Sequence, residues 1–255
     1  MDKVPSSFRV KLATTEAERL AAQALRYRVF VKELHGDGPL VDHDLGLERD
    51  EFDPFCDHLL LLDDNRGGEV AGVYRLLRDD QAGQAGRFYS ENEYDLSMLK
   101  TSGRRLLELG RSCLDAPYRG GVAMFHIWQG LAQYVADHEI ELLFGVASFH
   151  GTDLSKLAQP LSLLHHNHLA PLSLRTRALP EQFQRMDIIP EAALDRRAAM
   201  LQVPSLIKAY LRLGGFVGEG AYVDHAFNTT DVCLIMDTEK LSAKQKMIYS
   251  KGVTT

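Results

Sequence analysis

A chain of 255 residues with 45% hydrophobic content and no low-complexity tract can bury one sizeable core. One domain over residues 1–255 is therefore expected, elaborated at its C-terminal part from about residue 180. A net charge of -6, without a basic tail or stripe, excludes broad binding to nucleic acid. Cys56, Cys113 and Cys233 are odd in number and show no metal-ligand spacing, so they read as reduced thiols of a cytoplasmic protein. No apolar run approaches the roughly 20 residues of a spanning helix, which leaves peripheral contact as the expected relation to a membrane.

Residues 8–13 (FRVKLA) alternate like an edge strand, and Thr15 with Glu18 forms a capping-box start. In the helix that follows, Leu20, Ala24, Tyr27, Val31 and Leu34 share one face, and Arg26, Arg28 and Lys32 lie elsewhere on it. Residues 36–57 are strongly acidic, carrying Asp37, Asp42, Asp44, Glu48, Asp50, Glu51, Asp53 and Asp57. This is either a solvated loop or one from which Asp53 and Asp57, next to the apolar run, receive a cationic substrate. Residues 58–62 and 70–78 read as a hairpin turned by Asn65 and Gly67-Gly68. Arg75, inside its second strand, requires a carboxylate there, either structural or from a substrate. Residues 79–86 read as a loop, and residues 87–99 as a partly buried cover.

In residues 106–113, Leu107, Leu109 and Cys113 alternate with Glu108, Gly110 and Ser112, the period of a strand. Glu108 inside a strand costs free energy unless it is paired or placed at a cleft. Arg111 would point to the opposite face, unless Gly110 permits a bulge that also frees backbone N–H groups for a ligand. Pro117 and Gly120-Gly121 end the strand, and a helix with its stripe at Met124, Trp128, Leu131 and Val135 begins at Val122. Residues 142–149 (LLFGVASF) have the length of a buried strand, with Gly145 inside, and Thr152 starts the next helix. His165, His166 and His168 lack the helical i, i+4 spacing of a ligand pair, so no metal is assigned. Residues 179–199 read as a polar connector and residues 200–216 as one short helix with Leu206, Tyr210 and Leu213 on its stripe. Tyr222 and residues 231–237 supply the last strands, and a polar tail runs from Lys240.

The strand, glycine loop and helix N-terminus around Glu108 resemble the element with which GNAT N-acyltransferases hold an acyl-pantetheine thioester. FDPFCDHL, YRLL, FYSENEYDLS, ELGRSCL, GVASFHGTD, LSLLHHNHLAP, LIKAYLRLG and FNTTDV together resemble the ornithine-lipid N-acyltransferases, a branch related to the autoinducer synthases. This resemblance implies an α/β (α+β) fold, with a mixed central sheet, splayed central strands and flanking helices. The implied reaction moves a 3-hydroxy fatty acyl group from acyl carrier protein to the α-amine of L-ornithine. The carrier's phosphopantetheine thioester is then a co-substrate, with no tightly bound cofactor. Matching to the branch's first helix makes Arg28 and Phe30 candidates to line the substrate cleft.

Transfer of an acyl group from a thioester to an amine needs a neutral amine and a site for the developing oxyanion. Glu108 is the candidate base, directly or through one water. Backbone N–H groups around Gly110 to Ser112 are candidate oxyanion donors, and Gly145 leaves room for the thioester arm. Arg75 or Arg111 would take the amino acid's carboxylate, and Asp53 and Asp57 a cation such as the ornithine side chain or the sulfonium of S-adenosylmethionine. Counting from Arg119, Val122 stands where coenzyme A-dependent GNAT enzymes carry a glycine, which favours the carrier protein as donor. Arg104, Arg105, Arg119, Arg196 and Arg197 are candidate docking residues for that acidic carrier. The alternatives are an N-acyl amino acid synthase for glycine or tyrosine, an acyl-homoserine-lactone synthase and a non-catalytic carrier-binding module.

Overall fold

The computed structural model describes residues 7–241, so the tail expected from Lys240 lies, from residue 242, outside the described residues. In chain order the elements are β1 (Phe8–Leu12), α1 (Glu16–Arg26), β2 (Asp57–Asp63), β3 (Glu69–Arg78), α2 (Asp79–Ala85), β4 (Tyr94–Asp95), α3 (Ser97–Lys100), β5 (Leu106–Leu114) and α4 (Ala123–Asp137). They continue with β6 (Leu142–His150), α5 (Leu154–His168), β7 (Arg177–Ala178), β8 (Phe183–Gln184), α6 (Arg196–Gln202), α7 (Ser205–Arg212), β9 (Phe216–Val217), β10 (Ala221–Asp224) and β11 (Thr229–Asp237). The described residues form two compact units, one from residues 7–77 and 109–139 and the other from residues 78–108 and 140–241, with β5 beginning in the second and ending in the first.

In the first unit, β1, β2 and β3 are antiparallel neighbours, followed by the end of β5. The hairpin forms as the alternation predicts, with Gly67 and Gly68 at φ 68° and 82° in its turn, a conformation that glycine adopts without steric cost. The capping box of α1 also forms: the Thr15 hydroxyl accepts from Glu18 N at 3.2 Å, and the Glu18 carboxylate accepts from Thr15 N at 3.2 Å. The expected stripe of this helix is buried only in part: Tyr27 and Val31 are, while Leu20 and Leu34 are exposed. A second buried stripe runs through Ala22, Leu25, Arg26 and Val29. A single guanidinium therefore sits in the stripe that packs on Leu60, Leu62, Val70, Val73 and Cys113. After Arg26 the helix widens into a π-helical stretch, Tyr27–Glu33, where Leu34 N donates to the Val29 carbonyl at 3.1 Å. On the other face of β1 and β2, α4 approaches so closely that a Cβ on Gly130 would lie 2.3 Å from Val10 Cγ1. The buried positions of α4 are Ala123, Ile127, Leu131 and Tyr134, so its stripe is rotated from the expected one by about one residue.

In the second unit the start of β5 is followed by β6, β11, β10 and β8. β5 and β6 pair in parallel at Leu106↔Leu142, Leu107↔Leu143 and Glu108↔Phe144, and both strands continue beyond that pairing. β6 and β11 are antiparallel along their whole length, so the sheet is mixed, as expected. Four local expectations are corrected. Residues 79–85 are the helix α2, started by the Gln81 side chain accepting from Arg78 N at 2.9 Å and closed by Gly86 at φ 89°. Asp153, not Thr152, caps α5, accepting from Ser155 N at 3.1 Å. The connector at 179–199 contributes β8, which pairs with β10. Pro204, which cannot donate a backbone hydrogen bond, divides the helix expected at 200–216 into α6 and α7, and Ile207 rather than Leu206 joins Tyr210 in the buried stripe.

Candidate active site

The first unit contains a closed ring of alternating charge. Arg26 bonds Glu48 through Nε and Asp53 through NH1, the latter at 2.7 Å. Arg75 NH1 donates to Asp53 Oδ1 at 2.9 Å and to Asp50 Oδ1 at 2.6 Å. Arg111 closes the ring by donating to Asp50 Oδ2 from NH2 and to Glu48 Oε1 from Nε, both at 3.1 Å. Three guanidinium groups thus face three carboxylates, and their mutual attraction and hydrogen bonds offset the desolvation penalty that each buried charge carries. The side chains of Arg26 and Arg75 are 0% and 3% exposed, whereas those of Arg111 and Asp50 are 13% and 18% exposed. The ring is therefore tilted, with Arg111 and Asp50 at its open edge.

The electrostatics follow from that arrangement. Burial alone would raise the Asp53 pKa, but Arg26 and then Arg75 outweigh it and hold the carboxyl well below its ordinary range. Glu48 and Asp50 are likewise lowered, against their own burial, by Arg111 and Arg26 and by Arg75 and Arg111 respectively. Arg75 is raised: Asp50 and Asp53 overcome both its burial and the repulsion of Arg111. Burial pushes the Cys113 thiol up to about 12, which leaves it without nucleophilic character near neutral pH.

The strand β5 delivers Arg111 to this ring through an irregularity. Arg111 has φ 50°, in the left-handed region that non-glycine residues rarely enter, one residue after Gly110. A Cβ on Gly110 would lie 3.8 Å from Arg75 Nε, so the strand passes close to a guanidinium there. Ser112 follows, half-buried.

Among the residues singled out from the sequence, Arg75, Arg111 and Asp53 come together, with Gly110 beside them. Asp57 does not join them; its Oδ2 accepts from the Tyr134 hydroxyl at 2.7 Å, because it alternates with His58 along β2 and faces α4. The first helix supplies Arg26 and not Arg28, which is largely exposed and pairs with Asp115 at 2.9 Å. Phe30 is half-buried against the core beneath α1. Asp53, expected to receive a cationic substrate, instead holds Arg26, Arg75 and Gln23, whose Nε2 donates to Oδ2 at 3.1 Å. Arg26, Glu48 and Asp50 were not singled out. Their available signal was the spacing of Glu48, Asp50 and Asp53 opposite an arginine embedded in an apolar helix face.

Glu108 and Gly145 belong to the second unit. Glu108 is 3% exposed. It accepts from Tyr89 N at 2.7 Å, from Ser90 N at 2.6 Å and from the Ser90 hydroxyl. These N–H groups open the 3₁₀ turn Tyr89–Asn92, where backbone donors have no partner within the turn itself. The cover expected at residues 87–99 thus has a definite task, to fix this carboxylate. Gly145 lies in β6 opposite Leu234 of β11.

A mixed sheet in which an acid-bearing strand runs on into a glycine loop and a helix is the framework of a GNAT acyltransferase, and the family model for the acetyltransferase (GNAT) domain matches residues 25–129. The chain is 58% identical to the L-ornithine N(alpha)-acyltransferase of Rhodobacter capsulatus, over 99% of its own length and 98% of the relative's. It is 42% identical to that of Brucella abortus, over 95% and 89%. The protein belongs to the L-ornithine N(alpha)-acyltransferase family. In fold it is similar to the coenzyme A-dependent acyl-homoserine lactone synthase BjaI, with a TM-score of 0.56 at 11% identity, covering 98% of this chain and 92% of that one.

Proposed function

We propose that the protein transfers a 3-hydroxy fatty acyl group from acyl carrier protein to the α-amine of L-ornithine, yielding the lyso form of ornithine lipid. Family membership supports the acceptor. The observation that carries the reading is the open edge of the charged ring, where Arg111 and Asp50 offer one cation and one anion to an amino acid that carries both. Arg111 would take the α-carboxylate bidentately, exchanging Asp50 for substrate, while Asp50 turns to an ammonium group. Arg75, with Asp53 behind it, keeps that edge in register.

Glu108, fixed by donors on Tyr89 and Ser90, is assigned as the base that takes the proton of the α-ammonium, directly or through one water. Backbone N–H groups of residues 110–112 are assigned to the oxyanion, and Gly145 leaves β6 without a side chain at that position. Loss of the base in Glu108→Gln should lower turnover by about 10²–10⁴-fold. Val122, 61% exposed, stands at the loop position where a pyrophosphate would need a glycine, which supports the carrier protein as donor. Three of the candidate docking arginines have carboxylate partners of their own, Arg104 with Asp237, Arg119 with Glu33 and Arg196 with Glu191, so docking there would proceed by exchange of ion pairs.

Among the described residues no helix is long and apolar enough to cross a membrane. We place the protein in the cytoplasm, in peripheral contact with lipid through α7. Vesicle co-sedimentation unchanged by Leu206→Glu and Leu213→Glu would count against that contact. The proposed reaction is tested by incubating 3-hydroxyacyl carrier protein with either L-ornithine or its Nα-acetyl derivative. A hydroxyacyl-ornithine is expected from the first alone; acylation of both would mean that the α-amine is not the nucleophile.

A further inference from the structure

The ring of charges rests on a residue that the mechanism above does not use. His58, 1% exposed, stands on β2 directly opposite Arg75 in the antiparallel register, on the face covered by α1. Its Nε2 lies 3.2 Å from the Asp53 backbone carbonyl. A carbonyl only accepts, so Nε2 carries the proton, and Nδ1 of the neutral ring is then an acceptor. Nδ1 has no hydrogen-bond partner among the described residues, and neither do Gln23 Oε1 and Arg26 NH2. All three of these residues hold Asp53: Arg26 and Gln23 by its two carboxylate oxygens, and His58 by its main chain. Asp53 in turn bridges Arg26 and Arg75, so the position of its backbone sets where Arg75 presents its guanidinium.

We propose that His58 is a positioning residue of the acyl-transfer site, which in its neutral Nε2–H form anchors Asp53 and so registers Arg75, and whose protonation unseats the ring and limits turnover on the acid side. The charged groups that face it are Asp53 on the acidic segment, Arg26 on α1 and Arg75 on β3. The ring is balanced, with three cations and three anions; an imidazolium would add a fourth buried cation and turn Nδ1 into a donor beside two guanidinium groups. Burial first, and Arg26 and Arg75 after it, oppose that proton more strongly than Asp53 invites it, so the ring is held neutral below the ordinary histidine range.

The acid limb rests on the acyltransferase reading, whereas the state of the imidazole does not, so two measurements are paired. Histidine-selective ¹⁵N NMR of the whole protein, with His58 assigned by the signal lost in His58→Gln, should show an Nε2–H tautomer that stays neutral to below pH 6.5. In parallel, kcat/KM is followed against pH for the wild type, His58→Gln and His58→Phe. Gln places a non-titrating donor near the Nε2 position, so it should retain activity within tenfold at pH 7.5. Its acid limb should flatten relative to the wild type, a comparison in which titration of the substrate amine cancels. Phe keeps the volume without the donor and should lose at least tenfold at every pH. Equal acid limbs in the wild type and His58→Gln, undiminished His58→Phe, an Nδ1–H tautomer or an imidazolium at pH 7 would each overturn the assignment. If His58→Gln does not fold, the His58 signal is assigned through His58→Asn, and the NMR tautomer and titration of the unsubstituted protein decide. An inactive wild type would defeat the acyl-transfer reading, and the NMR result would still uphold or overturn the neutral anchor.

Discussion

Replacing Arg26 with methionine removes the guanidinium at the closed side of the ring while keeping most of the side-chain volume. Glu48 and Asp53, both buried, would then depend on Arg111 and Arg75, leaving three anions against two cations in a ring whose closed side is buried. Removing one partner from a buried, hydrogen-bonded charge arrangement costs about 3–5 kcal/mol. The control is Arg28→Met two residues further on, where an arginine 47% exposed pairs with Asp115; an exposed pair of that kind contributes about 0–1 kcal/mol. Urea unfolding at pH 7, with both variants compared at a common slope, should therefore separate them by at least about 2 kcal/mol. Midpoints corresponding to a difference below about 1 kcal/mol would show that the ring is not the buried, mutually dependent unit described, and the tilt assigned to it would lose its basis.

Three further outcomes follow from the same geometry. Glu48, Asp50 and Asp53 are depressed in the folded protein, so the unfolded chain takes up protons first as pH falls below about 4.5; His58, also depressed, adds a loss that begins near pH 6.5. Melting temperature should thus decline in two stages on acidification, and a flat profile from pH 7 to 4 would be inconsistent with this. Gly130→Ala should cost about 1–3 kcal/mol by overpacking, because its Cβ would meet Val10 at 2.3 Å; a thermal melt unchanged from wild type would contradict the close approach of α4. All three cysteines are buried, and Cys113 and Cys233 are pushed up to about 12 by burial, so a thiol reagent at pH 8 should label the protein after denaturation and not before.

The parts of the fold that were legible in the sequence are those that short-range chemistry dictates. Thr15 and Glu18 are three residues apart and cap α1; Gly67 and Gly68 turn the hairpin; the alternation around Glu108 makes a strand. The charged ring was only partly legible, because its members are brought together by the fold and not by any period. Arg75 signalled a buried carboxylate by its place inside a strand, yet which carboxylates met it depended on how the acidic segment returned over β3. Arg26 was hidden by the usual meaning of an arginine on a helix, a solvated side chain, although its place in the stripe from Ala22 to Val29 was available. Matching to the family's first helix favoured Arg28, two residues on and exposed, and closeness to the apolar run favoured Asp57, whose neighbour His58 occupies the side of β2 that bears on the ring. Glu108 illustrates the opposite case: its cost inside a strand was foreseen, and the donors that meet it come from a segment read only as a cover.

The most direct test of the proposed acyl transfer is product mass spectrometry after the protein is given 3-hydroxyacyl carrier protein and an equimolar pool of amino acids, with S-adenosylmethionine present and Glu108→Gln run alongside. The account predicts a hydroxyacyl-ornithine that is lost or greatly slowed in the variant. A lactone, or an acylated amino acid other than ornithine, would contradict the acceptor assignment, and an undiminished Glu108→Gln would remove Glu108 from the role of base.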